Sequence, residues 1–99
     1  MSLNLEISDE ALREIESIKQ YYLGISLELA ERFSDSLLKR LAVLCRQPLS
    51  RPKMSQDIRR ANLKTFPYAL YYQSEKGRLH LLLVAHQSRN PRDIKRRLG

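Results

Sequence analysis

Leu79 to Ala85 reads Leu-His-Leu-Leu-Leu-Val-Ala, apolar on both alternating faces except at His80. A strand of that kind must be covered on both sides, so it predicts the centre of a sheet rather than an edge. The covering layers have to come from elsewhere in the chain.

Two amphipathic segments upstream supply one layer. Ala11, Ile15, Ile18 and Tyr22 keep the i, i+4, i+7, i+11 spacing of one helical face, with Leu12 beside them. Ser8 followed by Asp9 and Glu10 provides a cap and first-turn acids, and Gly24 with Ser26 breaks this helix and starts a second. The second carries Ala30, Phe33, Leu37, Leu41 and Leu44, flanked by Leu27, Leu38 and Cys45, and stops after Gln47 because Pro48 cannot continue it. So short a turn predicts an antiparallel hairpin covering one side of the sheet.

The other strands are short. Leu3, Leu5 and Ile7 alternate with polar neighbours, as in an N-terminal strand with one buried face. Pro48 to Gln56 mixes prolines, serines and basic residues without periodicity and reads as a surface loop. Ile58–Leu63, Tyr68–Gln73 and Arg78–Ala85 read as strands, the last two joined through Ser74-Glu75-Lys76-Gly77. Asn90 can cap, and Pro91 open, a short basic helix from Pro91 to Leu98. The expected fold is α+β, in the order β-α-α-β-β-β: an N-terminal strand, a helical hairpin packed on a small antiparallel sheet, and a C-terminal helix. No composition shift marks a linker, so residues 1–99 read as a single domain.

Charge divides this chain in two. Residues 1–45 carry 5 Lys or Arg against 8 Asp or Glu, and residues 46–99 carry 13 against 3, so halves of −3 and +10 make up the net +7. A basic half of this kind suits something anionic. No apolar run is long enough to cross a bilayer and no secretory layout opens the chain, so a cytoplasmic protein with no membrane partner is expected. Cys45 lies on an apolar helical face and has no second cysteine to pair with. His80 and His86 share one alternation of their strand but lie about 20 Å apart along it, too far to share a metal. With glycines only at 24, 77 and 99 there is no phosphate-cradling loop, and no cofactor is expected.

The ordered set of elements and residues resembles the ParE/RelE toxins of bacterial type II toxin-antitoxin systems, more closely the ParE branch. The residues that carry the likeness are Tyr21-Tyr22 in the hairpin, the proline loop, Arg59 or Arg60, Phe66-Pro67-Tyr68, Tyr71-Tyr72, and Ala85-His86 leading to Arg89-Asn90-Pro91 with Arg96 or Arg97. It covers nearly the whole chain. Two departures stand out: Ser88-Arg89-Asn90 replaces an arginine doublet and aspartate, and Ile94 stands where the family commonly has a tryptophan that anchors the last helix.

That resemblance implies a toxin, associated with plasmid stabilization, acting on one of two targets. Ribosome-dependent cleavage of mRNA without a metal requires a base, an acid and phosphate-holding cations, roles open to His86, Tyr68 or Tyr72, Arg60 and Arg89. His86 can equally hydrogen-bond locally and position a loop, and the tyrosines can equally fill core. Arg59 and Arg60 point to opposite faces, and the more polar company of Arg60 favours it as the site member. The sheet region offers Lys64 and Lys76 but no lysine cluster, so the ParE-like alternative leads: inhibition of DNA gyrase without turnover, through Arg60, His86, Arg89, Arg92, Arg96 and Arg97. A non-toxic basic nucleic-acid-binding module is the third class. The resemblance further implies a cognate antitoxin forming a hetero-oligomer with the toxin, and Tyr21, Leu23 and Leu27 on the hairpin are its expected contacts.

Overall fold

In the computed structural model, which describes residues 2–99, the first strand β1 (Asn4–Ile7) hands over to helix α1 (Asp9–Leu23) at Ser8. The Ser8 hydroxyl accepts from Ala11 N at 3.0 Å, the expected N-cap, and also donates to Leu82 O at 2.9 Å. Ser26 repeats the cap for helix α2 (Leu27–Arg46) by accepting from Leu29 N. Every residue of the two expected stripes is buried: Ala11, Ile15, Ile18 and Tyr22 on α1, and Ala30, Phe33, Leu37, Leu41 and Leu44 on α2. Leu12, Leu27 and Leu38 are exposed.

The sheet has five strands where the sequence suggested four, in the order β1-β5-β4-β3-β2. The extra one is β2 (Lys53–Ser55), inside the segment expected to be only loop. It pairs antiparallel with β3 (Ile58–Asn62) across Gln56 and Asp57, both at positive φ (44° and 65°), a tight turn that composition does not announce. β4 (Tyr68–Glu75) and β5 (Arg78–His86) form the long central hairpin, closed by Lys76 and Gly77 at φ 49° and 77°. Strands β2 to β5 are antiparallel, and β1 adds to β5 in parallel. Because β1 is an edge strand, Leu5 and Ile7 remain 38% and 37% exposed, so the buried face expected of this strand is only half realised.

β5 is central, as its apolarity requires, but it is not regular. Tyr71 opposes Leu83 while Tyr72 opposes Leu81, which leaves Leu82 as an extra residue in a bulge. The bulge reverses the alternation. Leu79, Leu81 and Val84 face the helical hairpin, whereas Leu83 and Ala85 join Ile58, Ala69, Tyr71 and Ile94 in a second core on the opposite face. His80 and His86 therefore do not share a face: His80 is paired with Glu6, and His86 lies against Tyr68 on the hairpin side.

Helix α3 (Pro91–Leu98) covers that second core, capped by Asn90, whose side chain accepts from Arg92 N at 2.9 Å. Ile94 is fully buried and anchors the helix where an aromatic was expected to be needed. No helix of the described residues is long and apolar enough to cross a membrane.

Candidate basic cleft and hairpin surface

Where α3 meets β2, β3 and β4, a cleft of about 310 Å³ opens on the face away from the hairpin. Arg60 reaches it from β3, Lys53 from β2, Arg89 from the β5–α3 connection and Lys95 from α3. Arg60 lies directly opposite Tyr71 in the sheet and places its guanidinium 5.8 Å from the ring centroid, a cation–π contact that fixes its direction. Its Nε is buried with no hydrogen-bond partner among the described residues. Lys53 is tied to Asp57 at 2.7 Å, whereas Arg60, Arg89 and Lys95 have no carboxylate within ion-pair distance among the described residues. Arg59, on the other face, donates to Arg51 O instead.

His86 does not join this group. It is exposed, its Nδ1 lies 3.1 Å from Ser88 N and 2.8 Å from Ser88 Oγ, and its ring stands edge-on to Tyr68 at 5.6 Å. Accepting the Ser88 N–H places any proton of the neutral ring on Nε2. Its carbonyl accepts from Arg89 N at 3.0 Å, and Gln87 N donates to Pro67 O at 2.8 Å, so the 86–89 turn is fixed at both ends. His86 thus organises the turn that presents Arg89.

The tyrosines are engaged elsewhere. Tyr72 is fully buried and donates to Pro48 O at 3.0 Å, and burial pushes its phenol up. Tyr22 packs against Phe33, Phe66 and Tyr68, and burial, followed by the adjoining Tyr68, pushes its phenol up to about 12. Among the cations of α3, Arg92 is exposed and Arg96 is paired only at the surface with Asp93 at 3.5 Å. Arg97 is different: its Nη2 lies 2.6 Å from both Glu10 and Glu14, so it clamps α3 to α1 rather than projecting outward.

Of the residues expected at the target surface, Arg60 and Arg89 line this cleft, together with Lys53 and Lys95, which sequence reasoning passes over. Lys53 is hidden by the unrecognised strand β2, and Lys95 could have been found from the Pro91 start, which puts residues 91 and 95 one turn apart. At the turn between α1 and α2, Tyr21, Leu23 and Leu27 are 64%, 46% and 64% exposed, joined by Ile25 at 61%, which the helical stripes did not flag because it lies in the turn. Burial in the hairpin core is thereby excluded for all four. No group of three or more His, Cys, Asp or Glu side chains able to hold a metal ion occurs among the described residues.

A family model described as the ParE toxin of the type II toxin-antitoxin system parDE matches residues 5–91. Among solved structures, one titled the chromosomal ParDE system from P. aeruginosa aligns with a TM-score of 0.71 at 16% identity, covering 86% of this chain and 96% of that one. A mutant of the E. coli toxin RelE in the free state aligns at 0.62 and 20% identity, covering 89% and 86%. No curated protein matches by sequence. The matched stretch stops at the first residue of α3.

Proposed function

Because the chain belongs to the ParE toxin family of type II toxin-antitoxin systems, we propose that it inhibits DNA gyrase by binding, without turnover of its own, and that a cognate antitoxin silences it. The make-up of the cleft carries this reading: Arg60, Arg89 and Lys95 converge there, and neither a histidine nor a carboxylate lines it. Such a set can hold an anionic surface through charge and guanidinium hydrogen bonds. Strand cleavage also needs groups to take and return protons, and His86, the side chain suited to that, stands on the other face with Nδ1 engaged by Ser88. Arg92 and Arg96 extend the positive surface along α3, while Arg97 supports it from behind.

The antitoxin has a surface suited to it in the hairpin tip. Tyr21, Leu23, Ile25 and Leu27 are each exposed there, and a furrow between α1 and α2 reaches Leu23 and Leu27. An antitoxin segment that covers them removes this area from water while its acids meet the basic half of the chain.

A supercoiling assay with purified gyrase tests the target. Loss of supercoiling with appearance of linear plasmid, reversed by the antitoxin, is expected. No effect at a large excess of folded protein would overturn the gyrase assignment and favour ribosome-dependent mRNA cleavage, with Arg60→Ala and His86→Ala as the next variants to compare.

A further inference from the structure

Three arginines from three different segments converge on the Tyr72 phenol: Arg40 from α2, Arg51 from the loop that follows it, and Arg59 from β3. Arg59 lies directly opposite Tyr72, whose ring belongs to the hairpin-side core, and donates to Arg51 O, while the Tyr72 hydroxyl donates to Pro48 O at 3.0 Å. The 48–51 loop is thus pinned at both ends, and Arg51 leaves from a fixed backbone.

This charge is unanswered. None of the three arginines has a carboxylate within ion-pair distance among the described residues, and Asp57, in the β2–β3 turn, is already held by Lys53 at 2.7 Å. Arg40 Nε is buried with no hydrogen-bond partner among the described residues, and burial, followed by the like charge of Arg51, pushes the Arg40 guanidinium below its ordinary value. Cations held this close repel one another, and an anion bound between them relieves the repulsion.

Shape selects the anion. A carboxylate offers two oxygens in one plane, which a single guanidinium fork already occupies. Forks arriving from a helix, a loop and a strand suit the tetrahedral oxygens of a phosphate. Residues 46–99 carry 13 Lys or Arg against 3 Asp or Glu, so a chain of phosphates is favoured over a lone ion. We propose that Arg40, Arg51 and Arg59 form a phosphate-binding site for a nucleic-acid strand, separate from the cleft. Tyr72 is fully buried and offers no face for stacking, so the site holds phosphate without reading bases. None of the three arginines lines the cleft or the hairpin furrow, so the assignment depends on neither the gyrase nor the antitoxin reading.

Fluorescence anisotropy with the full chain and a short labelled single-stranded DNA, with and without a 5′-phosphate, tests it. Saturable binding is expected, weakened at least about tenfold by Arg40→Gln with Arg51→Gln. Arg13→Gln with Arg32→Gln, which removes the same charge from two exposed positions, should stay within about threefold of wild type. Arg51→Gln alone, also at an exposed position, should weaken binding in the same direction and separates the effect from any misfolding of the double variant. A preference of about tenfold or more for the phosphorylated strand assigns the site to a terminal phosphate, and equal binding of the two strands assigns it to a backbone phosphodiester. Equal weakening by the two double variants overturns the proposal, as does full affinity of Arg40→Gln with Arg51→Gln when Arg60→Ala with Arg89→Ala abolishes binding. Displacement of the strand by equimolar inorganic phosphate, or by an equimolar polyglutamate peptide, would overturn it as well.

Discussion

Arg97 and Glu14, 83 residues apart in sequence, meet at 2.6 Å. The same carboxylate accepts, through Oε1, the Val84 N–H at 2.9 Å, a donor at the β5 bulge just beyond the end of β1. One side chain therefore ties α1, the central strand and α3 together, and Arg97 adds Glu10 to the group. The bulge in β5 is thus not left with an unpaired donor, which a sheet interior would tolerate poorly.

Replacing Glu14 should reveal how much this junction contributes. Glu14→Ala leaves the Val84 N–H unanswered and removes one of the two carboxylates that hold Arg97, and is expected to lower stability by about 1–3 kcal/mol. Glu14→Gln keeps an acceptor for Val84 and should cost less. Urea unfolding checks both, and a double-mutant cycle with Arg97→Ala should show coupling of at least about 0.5 kcal/mol.

Ile94 is the second support of α3. It is fully buried among Ile58, Ala69, Tyr71, Leu83 and Ala85, so Ile94→Ala should cost about 2–4 kcal/mol, read as a lowered thermal midpoint. The position has a consequence for dissecting function. Deleting residues 93–99 to remove the C-terminal cations would also uncover this core, and substitutions at Arg92 and Arg96 are the cleaner comparison.

Periodicity was enough to place both helices and the α3 start, because capping side chains and apolar stripes are local and unambiguous at Ser8, Ser26, Asn90 and Pro91. It was not enough for β2, whose three residues gain their strand character only by pairing with β3. Nor does anything local announce the Leu82 bulge, since every residue from 81 to 85 is apolar and suits either face. That single insertion decides which face His86 occupies, so Arg60 and Arg89 share a cleft that His86 does not line. Arg97 looked like the other terminal arginines because its partners, Glu10 and Glu14, lie at the opposite end of the chain.

Tyr22 makes stability sensitive to alkali. Its folded pKa of about 12 lies above the ordinary 10.0, so the folded state keeps a proton that the unfolded state loses. The contribution is fully present below pH 10 and is lost as pH rises toward 12. Urea midpoints of the wild type should fall through this window, and Tyr22→Phe should fall less steeply.

Within the cleft, Arg60→Ala and Arg89→Ala should each weaken gyrase inhibition about tenfold or more, as expected for loss of a charge-assisted contact. His86→Gln keeps a side chain able to hydrogen-bond near Ser88 and should stay within about threefold of wild type. A larger loss at His86 than at either arginine in the supercoiling assay would contradict a purely binding role for this surface.

The hairpin tip gives the sharpest test of the antitoxin surface because stability and binding separate there. Leu23 and Leu27 are 46% and 64% exposed and belong to neither core cluster, so Leu23→Glu or Leu27→Glu should change folding stability by no more than about 0.5 kcal/mol. If the antitoxin covers these side chains, a buried carboxylate with no partner would weaken binding by about tenfold or more. Titration calorimetry against the antitoxin reads this directly, and unchanged affinity in both folded variants would remove the tip from the interface. Ile25→Glu extends the comparison into the turn itself. An effect at 23 and 27 without one at 25 would confine the antitoxin to the furrow between the helices, whereas equal effects at all three would mean that it caps the whole end of the hairpin.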